Sequence, residues 1–358
     1  MKSMKSRTLW TCLAVRVALN AGCSQELPDD PEIAASEALL DGMGAGAAGS
    51  PAHAAHSVQL TAAASGPRID TNAIPSGSAG VDRPMLTRTS EKPGSSDGTG
   101  AFRTVCSYSH MNFDDPIVYP NQPGKAHLHA YFGNTGAKAA STANSLATTG
   151  NSTCRGGTIN RSAYWAPALI DSAGKPLKPA SLEVYYKSGY GGVAAKNIRS
   201  FPRGLRMIAG DMRSTSTQWN AYWGCRDHYV GKPGSIPRCN SGEDIAMIVE
   251  FPQCWDGRNL DSADHKSHMA YPARGGCPST HPVPIPAITM NVIYKPGTAT
   301  GLRLSSDMYD TKLPGGYSAH ADWFGAWDPA IVDTFVSKCI NPALDCHSHL
   351  LGDGRAMQ

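Results

Sequence analysis

The run Ala163-Tyr164-Trp165-Ala166-Pro167-Ala168-Leu169-Ile170 reads as a β-strand: it is short, apolar and aromatic, turn residues bound it, and its proline suits an edge position. Four further runs share this character, at residues 182–187, 205–210, 246–251 and 288–294. From Phe102 onward such runs are punctuated by Gly, Pro, Asn and Asp, the pattern of many short strands rather than long helices. One amphipathic helix is expected over residues 331–339, where Val332, Phe335, Val336 and Cys339 share a face. No internal repeat is present. The expected fold is therefore mainly β, a single disulfide-bonded β-sandwich or jelly-roll-like domain with few short helices.

Outside these runs the texture changes. Residues 24–100 are rich in Ala, Gly, Ser, Pro and Asp and hold no sustained apolar period, so they read as a flexible spacer, leaving 101–346 as the domain and 347–358 as a loose tail. Residues 1–23 resemble a lipoprotein signal peptide: Lys2, Lys5 and Arg7 precede an apolar stretch that ends before Ala21-Gly22-Cys23, with Cys23 as the lipidated residue. Arg16 and Asn20 depart from that pattern. No uninterrupted apolar stretch is long enough to span a bilayer, so contact with a membrane is expected only through the lipid anchor. The formal net charge of +3, with 32 basic and 29 acidic side chains and no basic cluster, argues against nucleic acid as a partner.

The ten cysteines form no Cys-x-x-Cys pair, which favours oxidation in an exported protein over metal binding. Setting aside Cys12 and Cys23 leaves Cys106, Cys154, Cys225, Cys239, Cys254, Cys277, Cys339 and Cys346, an even set that allows four bridges. Connectivity stays open at this stage, although Cys225 with Cys239, Cys254 with Cys277 and Cys339 with Cys346 would close short loops, the last stapling the helix.

Three segments carry the chemistry. The densest runs from Cys254 to Pro272 and includes Asp264-His265-Lys266-Ser267-His268, where one helical turn would bring Asp264, His265 and His268 together. Upstream lie Asp114-Asp115-Pro116 and His127-Leu128-His129, and downstream His320-Ala321-Asp322-Trp323. On a strand, residues two apart share a face, so His127 with His129, and His320 with Asp322, can meet one substrate or one ion. A carboxylate such as Asp115 can orient an imidazole or act as a base. Lys266 favours an anionic substrate or intermediate over a bare metal. The candidate catalytic residues are thus Asp115, His127, His129, Asp264, His265, Lys266, His268, His320 and Asp322. The plain alternative is that these are hydrogen-bonded loop and strand residues.

A divalent metal is compatible with this set, with His127, His129, His268 and His320 as candidate ligands. No nucleotide cofactor is implied, and no Gly-x-Ser-x-Gly elbow supports a catalytic serine. Tyr271, Tyr317 and Trp323 are candidate substrate-binding aromatics, since sugar C–H bonds stack on rings while hydroxyls bond to acids; the alternative is core filling.

In their order along the chain, Cys106, Asp115-Pro116-Ile117-Val118, His127-Leu128-His129, Cys254-Trp255-Asp256-Gly257, Asp264 to His268, Cys277-Pro278, His281-Pro282 and His320-Ala321-Asp322 resemble the domain-of-unknown-function 1996 family over about residues 101–346. That resemblance implies an extracellular domain, of a kind that sometimes accompanies carbohydrate-binding modules, but no reaction. Together the readings point to an exported surface protein acting on extracellular polysaccharide, with cleavage either by hydrolysis, through a raised-pKa acid such as Asp264 and a base such as Asp322, or by elimination on uronic acids, as in a polysaccharide lyase, with His and Lys266 abstracting the proton and neutralising the charge. A glycan-binding or surface-attachment domain without catalysis, and a metal-dependent hydrolase, are the alternatives.

Overall fold

The computed structural model describes residues 66–358 apart from 189, 274 and 298. The signal segment, Cys23 and residues 24–65 lie outside the described residues. Two β-sheets face each other across one large apolar core, the expected mainly β sandwich. The larger, seven-stranded sheet has the order β10-β11-β15-β8-β3-β18-β2, comprising Ala221–Cys225, Ile245–Glu250, Ala287–Tyr294, Pro179–Lys187, Ala101–Cys106, Leu344–Asp345 and Gly94–Ser95. The second, five-stranded sheet runs β4-β5-β6-β17-β9, comprising Tyr108–Asn112, His129–Gly133, Ala163–Pro167, His320–Phe324 and Arg206–Gly210. Small sheets frame these: β1 (Leu86–Arg88) with β19 (Arg355–Met357), β7 (Leu169–Ile170) with β16 (Arg303–Leu304), and β12 (Cys254–Trp255) between β13 (Met269–Ala270) and β14 (Val283–Pro284).

Period-two alternation builds the core. In β8, Leu182, Val184 and Tyr186 are fully buried, whereas Glu183 and Tyr185 turn outward, where Arg226 forks onto Glu183 with two bonds of 3.1 Å. The register continues the inward rows across the sheet, Phe102↔Tyr186↔Ile288 and Thr104↔Val184↔Met290↔Val249. Facing them from the five-stranded sheet are Phe132, Tyr164, Ala166, Ala321 and Trp323. Buried hydroxyls and an indole link the two layers: Tyr164 Oη lies 2.9 Å from Tyr186 Oη, and Trp327 Nε1 donates to both, at 3.2 and 3.0 Å.

The amphipathic helix forms as α2, Pro329–Phe335, capped by Asp328 and continued by a π turn over Val336–Ile340. Its Phe335 stacks on Phe102 at 4.2 Å between ring centroids. A short helix, α1 (Ala143–Thr148), is capped by Thr142. Four disulfides close the domain, Cys106–Cys154, Cys225–Cys239, Cys254–Cys277 and Cys339–Cys346, and the last staples α2 as expected. Among the described residues no helix is long and apolar enough to cross a membrane.

Three expectations need correction. Residues 66–100, read as spacer, and 347–358, read as tail, belong to the fold: β1 pairs with β19, β2 pairs with β18, and Leu350, Leu351 and Met357 are buried. Composition concealed this because ladder pairing uses backbone groups that even Gly and Ser supply. Strand β6 is central rather than an edge, and its proline is accommodated as the last residue, opposite His129.

Truncating the stacked, fully buried ring in Phe335→Ala is expected to cost about 3–5 kcal/mol, read as a lowered urea midpoint at unchanged slope.

Candidate active site

Alternation in the five-stranded sheet sends the site to the face away from the main core. Ala130, Phe132, Tyr164, Ala321 and Trp323 enter the sandwich, so His129, Tyr131, Trp165, His320 and Asp322 point the other way. Register aligns Tyr131, Trp165 and Asp322 in one row and places His129 opposite Pro167. Pro167 has no N–H to donate, and the β6–β17 ladder stops at Trp165↔Asp322, while β17 stays paired with β9 out to His320↔Gly210. The sheet thus opens where His129 and His320 stand.

Three imidazoles converge there: the His127 ring centroid is 4.1 Å from that of His129 and 5.1 Å from that of His320, and His129 and His320 are 6.0 Å apart. Ligand-capable atoms of His127, His129 and His320 lie within 4.8 Å of one another, as do those of Asp115, His129 and Asp322. His129, His320, Asp115 and Asp322 are buried, and His127 is half-buried ahead of β5.

Backbone carbonyls orient two of the rings. His129 Nδ1 donates to Asp114 O at 2.9 Å and His320 Nδ1 to Ser318 O at 2.8 Å, so in each the lone pair resides on Nε2. Both carbonyls are themselves held in place. Asp114 accepts from the Gly124 and Ala139 backbone, and the buried Asp307 carboxylate accepts from the Ser318 hydroxyl at 2.5 Å. Asp115 Oδ1 accepts from the N–H groups of Ile117 and Val118, both at 2.8 Å. Among the described residues His127 Nε2, His129 Nε2 and Asp322 Oδ2 are buried without a hydrogen-bond partner.

Burial dominates the electrostatics. It lowers His129 and His320 to about 4, in His320 with help from His129, and holds His127 well below the usual imidazole value, reinforced by its two histidine neighbours. Burial also raises Asp115 and, with Asp115 beside it, holds Asp322 well above the carboxylate range. The site combines neutral imidazoles with carboxyl groups that resist ionisation.

The densest segment of sequence plays a different part. Its loop is clipped to β9: Asp261 pairs with Arg206 at 2.9 Å, and His268 Nε2 donates to Arg206 O at 2.7 Å while its Nδ1 meets Ser262 Oγ at 2.9 Å. Both nitrogens of His268 are engaged within the protein, so the structure does not bring it into the histidine cluster that was expected to include it. His265 turns to Asp261, 3.0 Å away. Asp264 is exposed, and the Ser267 backbone N–H, followed by the Ser262 hydroxyl, pushes it below the ordinary carboxylate range, the reverse of a raised-pKa acid. The segment caps its own turn because Asp, Ser and backbone N–H groups satisfy one another locally. Within this segment Lys266 is the residue that acts on the histidine–carboxylate cluster. Its Nζ donates to Gly210 O at 2.9 Å, and its charge acts on His320 and Asp322.

The aromatics also sort differently. Trp323 is fully buried against Phe201 at 5.0 Å, a core residue on the opposite face from Asp322. Tyr271 is fixed by donating to Glu250 O and accepting from Asn220, and Tyr317 is half-buried 6.3 Å from Tyr309. Sequence reasoning passed over Trp219, a residue 57% exposed whose ring stands edge-on to Tyr271 at 4.5 Å. The preceding Gln218 donates to Tyr317 O and Ala319 O, tying this platform to the strand that carries His320. Asp307, Ser318 and Gly210 were also missed, since a carbonyl acceptor or a close approach leaves no spacing motif.

Fold and side-chain cluster define a disulfide-bonded β-sandwich with a buried site of three histidines and two carboxylates. The chain belongs to the family described as Domain of unknown function (DUF1996), whose match covers residues 115–327, from Asp115 to just beyond β17, and so includes all five. No curated protein and no solved structure matches it.

Gly210 has φ +82°, and a Cβ there would lie 2.5 Å from Ala319 O and 2.8 Å from His320 Cα. Gly210→Ala is therefore expected to cost about 1–3 kcal/mol and to shift the His320 ring resonances in NMR, leaving those of His110 in place as the control.

Proposed function

We propose that this domain is an exported hydrolase acting on extracellular polysaccharide at the cavity of Asp115, His127, His129, His320 and Asp322. The observation that carries the reading is two ligand-capable triads that share His129, with His127 Nε2, His129 Nε2 and Asp322 Oδ2 buried and without protein partners among the described residues. Buried polar groups are normally satisfied, so donors left open together are poised for a molecule from outside. Hydrolysis needs a polarised water and a group that takes and returns a proton. Asp115 suits the second role, because its Oδ1 is anchored by two backbone N–H groups and burial raises its pKa. It replaces Asp264 as the acid. Lys266 offers its charge to an anionic group of the substrate.

Polysaccharide is the substrate class because Trp219 presents an exposed, braced ring beside the strand that leads into the site, a surface on which a sugar face stacks. Four disulfides are consistent with an extracellular setting. In this proposal Cys23 carries a lipid that holds the domain at the cell envelope. Its replacement in Cys23→Ser is expected to move the protein from the membrane fraction to the soluble one; unchanged partition would reject the anchor.

Incubation with a panel of neutral and acidic polysaccharides is expected to give new reducing ends or released acyl groups. Asp115→Asn should lower the rate by about 10²–10⁴-fold, and Trp219→Ala should raise KM by about tenfold at similar kcat, the loss of roughly 1.4 kcal/mol of stacking. Retention on a polysaccharide without release of either product would make the domain a glycan binder instead.

A further inference from the structure

We infer that the same cavity is a mononuclear centre for a divalent transition ion, held by Nε2 of His127, His129 and His320, with the Asp322 carboxylate beside them. The inference builds on the reading of this cavity as the reactive site, and equilibrium metal binding tests it apart from turnover. Three observations support it. First, the unpartnered atoms are all of ligand-capable types: His127 Nε2, His129 Nε2 and Asp322 Oδ2 are buried and unbonded among the described residues, and the His129 tautomer leaves the lone pair on Nε2. A hydrogen-bond donor could serve one or two of them, whereas a cation serves all.

Second, the outer partners are those of metal-binding histidines. Nδ1 of His129 and of His320 is committed to a backbone carbonyl, which fixes the tautomer that turns the Nε2 lone pair inward. His129 and His320 stand on β5 and β17 of one sheet, so the rings are held by rigid elements. Third, the spacing is within reach. One ring nitrogen of each imidazole lies within 4.8 Å of the others, and tetrahedral bonds of about 2.0–2.1 Å require donors roughly 3.4 Å apart. Side-chain adjustment of His127, which precedes the strand and is half-buried, can close that gap.

The rest of the molecule sharpens the assignment. Cys225, His228 and Glu243 also lie close together, but Cys225 is bonded to Cys239, and Glu243 accepts from the backbone of Asp227 and Asn240. His268 has both nitrogens engaged. Three imidazoles and a carboxylate exclude the oxygen-seeking Mg²⁺ and Ca²⁺ as the preferred ion and favour Zn²⁺ or its neighbours in the first transition row. Such an ion would favour the ionised form of the Asp322 carboxylate beside it. It would also make a bound water more acidic, next to Asp115.

The full-length protein, stripped with chelator and dialysed, is titrated with Zn²⁺ and separately with Co²⁺. One ion per chain is expected, with the visible d–d bands of tetrahedral Co²⁺ and no displacement by excess Mg²⁺. His320→Gln and Asp322→Asn, checked for intact fold by near-ultraviolet circular dichroism, should each weaken binding by about tenfold to a hundredfold or more, while His268→Gln should leave it unchanged. Absence of stoichiometric Zn²⁺ or Co²⁺ from the wild type, or equal retention in folded His320→Gln, overturns the inference. Polysaccharide turnover by a wild type that binds neither Zn²⁺ nor Co²⁺ stoichiometrically overturns the centre while sparing the hydrolase reading. Metal binding without turnover upholds the centre and removes that reading.

Discussion

Successive side chains on a strand face opposite ways, and in His320-Ala321-Asp322-Trp323-Phe324 both faces are buried. Ala321 and Trp323 fill the sandwich, so His320 and Asp322 must stand together on the other face. The same parity on β5 sends Ala130 and Phe132 inward and His129 and Tyr131 outward. A slip of one residue in either strand would put charge-bearing groups into the apolar core and Trp or Phe into the cavity. The dense aromatic packing that locks the register, from Phe102 and Tyr186 to Trp327 and Phe335, therefore also holds the site together.

Keeping so many polar groups away from water costs free energy, and the fold offsets part of that cost with backbone partners. Carbonyls of Asp114 and Ser318 take the imidazole N–H groups, and amides of Ile117 and Val118 take one oxygen of Asp115. What they leave open is of ligand-capable type: His129 keeps a lone pair on Nε2, and His127 Nε2 and Asp322 Oδ2 are buried without a hydrogen-bond partner among the described residues. Pro167 contributes from the opposite direction, because a strand lacking one N–H lets the sheet part at the row where His129 and His320 stand.

The loop between β12 and β13 shows why density of reactive residue types is a poor guide to chemistry. Asp256, Asp261 and Asp264 cap turns or pair with Arg206 and His265, and His268 locks the loop to the β9 backbone. Its contribution to the cavity is Lys266, carried across to Gly210 by a scaffold that otherwise satisfies itself. Trp219 makes the converse point. A single aromatic residue in a polar stretch leaves no pattern, and only its support by Tyr271 and the anchoring of Gln218 reveal it as a platform.

The sequence by itself determined the mainly β class, the closing helix, the even cysteine set with its short loops, and the pairing of His320 with Asp322, because each follows from local periodicity or parity. It also singled out His127, His129 and Asp115 as companions. Tertiary structure alone decided which clusters meet. Asp264, His265 and His268 satisfy themselves locally, whereas Asp115, His127 and His129 reach His320 and Asp322 because β6 lies between β5 and β17. Strand order is a long-range choice that no local spacing encodes. The same holds for residues 66–100 and for the carboxyl-terminal strand, whose places depend on backbone pairing between segments far apart in the chain, with Met357 buried in the core.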